Sequence, residues 1–255
     1  MDDVIEARIT SKNKKIINIQ KTMRIIIWSF VPVMLLTLGL AWAFYPEPWE
    51  FVDEFVSNLG NTVGYHTKLD NTVSMFIMTI GFSVIGLCCL AVAILYFVRP
   101  GMRYQIIKTQ DPNIRILKSE RGLLYAVAKG VFYFIMFLGA LGIAVPGDIE
   151  SLFIFHITGA SLFLVSFGLV NFIHQSLRFL RKVKAKDEKK KIDFYLDIVM
   201  VVLVFAVLLT LGIIYIIYTA KGQTVLHPVL SPYVWQKMVL IINLVAIFFL
   251  DIDDM

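Results

Sequence analysis

Three imidazoles and a set of carboxylates are the side chains of this sequence best suited to chemistry. His66, His156 and His227 fall in or beside three segments that interrupt long apolar runs, and Asp148 and Glu150 sit in the shortest of them. Glu47, Glu50, Asp53, Glu54 and Asp70 crowd the segment that holds His66. Neutral imidazole and carboxylate are suitable ligands for Zn²⁺, and three protein ligands with a water in the fourth position make a hydrolytic centre. His66, His156, His227 and Asp148 are therefore the candidate metal set, with Ser57 placed to assist an oxyanion. A lipid ester or amide, reached laterally, is the substrate such a centre would take. No HExxH or CxxC spacing accompanies these residues. The competing reading leaves the loop histidines exposed, makes His156 a hydrogen-bonding partner inside a bundle, and expects no cofactor. His156, Gly159, Ala160 and Phe163 recur at i, i+3, i+4 and i+7 and share one helical face. An imidazole beside a glycine-alanine notch suits close contact with another helix or with a lipid headgroup.

The elements that must position these residues are membrane helices. The chain of 255 residues is 58% hydrophobic, above the 45–50% or so of soluble domains, and the excess belongs on a lipid-facing surface. A helix needs about 20 apolar residues to cross the hydrocarbon. Six segments qualify or nearly qualify: 24–45, 72–98, 122–145, 151–177, 194–219 and the shorter 233–250. They are too long and too uniformly apolar for barrel strands. The expected fold is all-α: a single six-helix transmembrane bundle over 24–250, with a basic tail at 1–23 and an acidic tail at 251–255. Pro32 is a candidate kink and Ser151 a candidate N-cap. Gly81 and Gly86, Gly139 and Gly142, and Gly159 and Ala160 permit close helix approach.

Charge orients the bundle. Twenty of the 24 Lys and Arg residues lie in 1–24, 99–121 and 178–191, and basic residues near span ends stay cytoplasmic. Both termini are then cytoplasmic, and 46–71, 146–150 and 220–232 face outward. A formal charge of +5 distributed in this way reads as membrane orientation rather than nucleic-acid binding. The 178–191 segment should also attract anionic inner-leaflet lipid, each cation contributing about 1 kcal/mol. The localisation implied is a multi-pass protein of the plasma membrane or an endomembrane, with no cleavable signal peptide expected. Cys88 and Cys89 read as small core residues. Lys129, His174, Asp193 and Asp197 are polar residues within or near the inner halves of spans. Lys129 either snorkels to the interface or pairs with Asp197. Alternating apolar and acidic residues over Trp49–Val56 suggest a short amphipathic helix lying on the bundle.

Phe55-Val56-Ser57-Asn58-Leu59-Gly60, then Asn71 and Phe76, then Phe155-His156-x-x-Gly159-Ala160-x-x-Phe163, and Trp235-Gln236 at the last span together resemble the DRAM/FRAG/SFK group of six-span membrane proteins. Asn58 stands where that group has aspartate, and Gln236 lacks its glutamate. A related six-span family of prokaryotes with a Ser-Asp-Leu-Gly motif is similar to about the same degree. The resemblance implies membrane-lipid homeostasis, lipid remodelling or regulation of lipid-kinase recruitment. The leading expectation is a non-enzymatic protein that binds or organises membrane lipids in an outer pocket. Ser57, Asn58, Gly60, Asn71, Asp148, His156 and Gly159 are the pocket residues expected. The alternative is a zinc-dependent intramembrane lipid hydrolase analogous to the CREST superfamily.

Overall fold

The fold was taken from a computed structural model, which describes residues 2–50, 53–110, 117–185, 191–222 and 227–250. Six α-helices follow one another: α1 (Asp2–Ala43), α2 (Thr72–Gln110), α3 (Leu117–Ile143), α4 (Glu150–Ala185), α5 (Lys191–Ala220) and α6 (Pro232–Phe248). Short 3₁₀ turns at Val56–Gly60 and Pro228–Leu230 complete the order. The described residues contain no β-strand, only an isolated bridge between Val63 and Asp70. Five stretches are long and apolar enough to cross a membrane: Lys14–Ala43, Thr72–Arg99, Leu124–Ile143, Glu150–Leu180 and Tyr195–Ala220. The molecule is a helical membrane bundle.

Successive helices pack as neighbours, α1 on α2, α2 on α3, α3 on α4, while α6 lies against α4, α5 and α1. Only 22% of the apolar window of α5 is buried, against 33–44% for the other four, so α5 stands at the edge. The 17 residues of α6 span about 26 Å at 1.5 Å per residue, less than the roughly 30 Å of hydrocarbon. Residues 54–56 fold over its first turns and bond the buried Gln236 and Lys237. Ser231 caps α6 by accepting from the Tyr233 amide at 3.2 Å.

At the opposite end the helices overshoot. With 42 residues, α1 extends for about 63 Å and carries the basic residues 2–23 as part of the same helix, with Pro32 inside it. The tightest crossing joins α3 to α4. A Cβ on Gly159 would overlap the backbone of Gly142, and one on Gly139 would overlap the backbone of Phe163. Three glycines thus bring two backbones into contact, which substitutes for the hydrophobic driving force that lipid does not supply.

Candidate functional site at the lidded end

The described residues of 44–71 and 144–149 meet at one end of the bundle beside the first turns of α6, and the former fold back as a lid. Expected to be a helix over Trp49–Val56, this segment is not helical at 49–50 or 53–55, and residues 51–52 lie outside the described part. The helical turn comes later, at Val56–Gly60. Glu50 and Glu54 are tied together twice: Glu54 Oε1 takes the Glu50 amide at 3.1 Å, and the Glu54 amide donates to Glu50 O at 3.1 Å.

The Ser57–Gly60 motif seats the lid on α2. Asn71 Nδ2 donates to Leu59 O (3.1 Å) and Asn61 O (2.8 Å), and Ser74 Oγ donates to Leu59 O (2.7 Å). Gly60 faces α2 so closely that a Cβ there would come within 3.3 Å of Met78 Cβ. Asn58 is half-buried and its carbonyl takes the Asn61 amide at 3.1 Å. Asn71 and Gly60 therefore build the lid, whereas Ser57 lines a cavity beneath it.

Two carboxylates fasten the rest. Both oxygens of Asp148 accept from the Thr62 amide (2.9 and 3.0 Å), and one also takes the Val63 amide (3.3 Å) and the Thr62 hydroxyl. Glu47 accepts from the amides of His66 (2.9 Å) and Thr67 (2.7 Å). Burial pushes the Glu47 carboxyl upward, but these amides and the Thr67 hydroxyl outweigh it and hold the group below its ordinary value. Glu54 is wholly buried; besides Glu50 N it meets the Tyr45 hydroxyl at 3.1 Å and lies 3.7 Å from His66 Nε2.

The four candidate zinc ligands are spread among separate partners. His156 is buried, and its Nδ1 lies 2.7 Å from Val145 O. A carbonyl only accepts, so Nδ1 carries the proton and the imidazole ties α4 to the 144–149 connection. His66 faces Glu54, Asp148 holds the Thr62 and Val63 amides, and His227 is exposed, its carbonyl taking the Leu230 amide. Among the described residues no three of His, Cys, Asp and Glu are gathered to hold a metal ion.

Residues that the sequence reading had not marked as site members do much of the fastening. Gln236 Oε1 accepts from the Val56 amide at 2.9 Å, and Lys237 Nζ donates to Glu54 O at 2.6 Å while lying 4.3 Å from the Trp49 ring centre. A lysine and a glutamine side by side inside an apolar span were the available signal, since lipid tolerates such groups only when they are satisfied internally. Beneath the lid, a cavity of about 20 Å³ is lined by Val56, Ser57, Phe163, Gln236 and Leu240 among others from α2, α3 and α4. It has room for about one water molecule.

The far half of the bundle holds a second buried polar layer. Asp197 of α5 is fully buried 3.0 Å from Arg178 Nε of α4. His174 Nε2 lies 3.3 Å from the Tyr96 hydroxyl, and the Lys129 ammonium sits 5.5 Å from the Tyr96 ring centre. Asn171 Nδ2 donates to Asn243 Oδ1 (2.9 Å) and Gln175 Nε2 to Ala246 O (2.8 Å), joining α4 to α6. Compared with family models, curated proteins and solved structures, the chain gives no match.

Proposed function

We propose that this membrane bundle binds or organises membrane lipid at its lidded end, without catalysis. The observation that carries the reading is the cavity under the lid, where apolar walls from four helices meet Ser57 and Gln236. Apolar walls with a few placed polar groups are the lining that ligand sites share. In the closed form the cavity is too small for an acyl chain, so a lipid enters as Val56 and Ser57 lift. The scarcity of basic residues in 46–71, 146–150 and 220–232 supports an outer-leaflet position for this end. The basic 178–191 segment, much of it outside the described residues, would hold anionic lipid at the other leaflet.

Lipid analysis of the protein purified in nanodiscs tests the reading. Wild type should carry one lipid class enriched several-fold over the host membrane. Ala160→Leu, which fills the rim of the cavity, should lose that enrichment with its melting temperature little changed. Lipid content equal to that of the bulk membrane in both proteins would reject it.

A further inference from the structure

We propose that Gln236 and Lys237 form a two-point latch that keeps residues 54–57 closed, and that the gap beside Ser57 and Ala160 is the doorway for an acyl chain. The two side chains are consecutive on α6 and grip two points of the same short stretch. One accepts from the Val56 amide and the other donates to the Glu54 carbonyl. Both are buried, at 8% and 3% exposure. Burying an ammonium in a span costs several kcal/mol unless it is compensated; here the Glu54 carbonyl and the face of Trp49 compensate it. Phe55 packs edge-on against Tyr233 at 4.3 Å, and Tyr233 meets the Tyr218 hydroxyl of α5 at 3.0 Å, so the latch is braced laterally. Glu54 is held besides by the Tyr45 hydroxyl, the Glu50 amide and His66, and the Trp49 indole donates to Phe55 O at 3.4 Å, while the other lid contacts run through Asn71, through Ser74 of α2, and through Asp148 and Glu47. Releasing the latch therefore loosens Val56 and Ser57 locally, while Glu54 stays tethered and the lid stays seated. Of the residues lining the cavity, Ser57 and Ala160 are the half-exposed ones and the rest are buried, which locates the doorway between lid and α4.

The nature of the occupant rests on the lipid-binding reading, whereas the gate does not. In a Cys88→Ser, Cys89→Ser background, Ser57→Cys is reacted with a membrane-partitioning maleimide, with Phe153→Cys, already exposed, as the reference. Adding Gln236→Leu and Lys237→Met should speed labelling at position 57 by about tenfold, as expected when two buried hydrogen bonds are lost, and leave position 153 unchanged. Equal rates at 57 with and without the latch would overturn the proposal. Should the double variant fail to fold, Gln236→Leu alone is read by the same criterion. Faster labelling without lipid enrichment in the wild type would uphold the latch and reject the lipid reading.

Discussion

Arg178→Met should destabilise the purified protein by about 3 kcal/mol, the cost of stranding a buried partner charge, read as a lowered midpoint of unfolding in detergent. Asp197 is fully buried and Arg178 Nε lies 3.0 Å away. Their contact joins the first turns of the peripheral α5 to α4. Replacing both, Arg178→Met with Asp197→Leu, should recover part of the loss, because the carboxylate that Arg178 faces is then no longer buried. The double-mutant cycle separates the pair from packing at either residue. A double variant as unstable as the sum of the singles would show that the two groups act independently.

The second large effect belongs to Gly159→Ala. A single methyl there would overlap Gly142 Cα and approach Gly139 O at 2.9 Å. Backbone atoms on a facing helix cannot rotate away, so α3 and α4 must separate along their length. The loss should reach about 3 kcal/mol, the upper end for overpacked cores. Gly212→Ala in α5 is the matched control. Nothing lies within 4 Å of its added Cβ, and the gain in helix propensity should leave stability unchanged or raised by up to about 1 kcal/mol. Equal melting points for the two variants would contradict the close crossing.

The membrane helices are legible in the sequence because lipid imposes a length and an apolarity that few other contexts require, and Arg99, Pro146 and Asp251 punctuate the runs plainly. The close contact of Gly142 with Gly159 follows from small residues spaced along two adjacent spans. The lid was less legible. Asp148 was expected in a metal set and Glu47 and Glu54 among the carboxylates around the same pocket; in the fold each accepts from backbone amides whose positions depend on the path of the loop. Asp148 and His156 flank the same connection but hold different partners, Thr62 and Val145. Arg178 was counted with the basic residues that orient the bundle, and its contact with Asp197 follows only once α4 and α5 are packed side by side. The spacing that revealed Lys129 and Asp197 as costly residues does not choose their partners.

The account depends on the lidded end and the basic helix ends facing opposite sides of a membrane. Single cysteines at His66→Cys and Ala185→Cys, each in the Cys88→Ser, Cys89→Ser background, are exposed in sealed vesicles of known orientation to a maleimide that cannot cross the bilayer. The account predicts that each is labelled from one face only, and that the faces are opposite, position 66 reacting from the outer side and position 185 only after permeabilisation. Labelling of both positions from the same face of intact vesicles would contradict it.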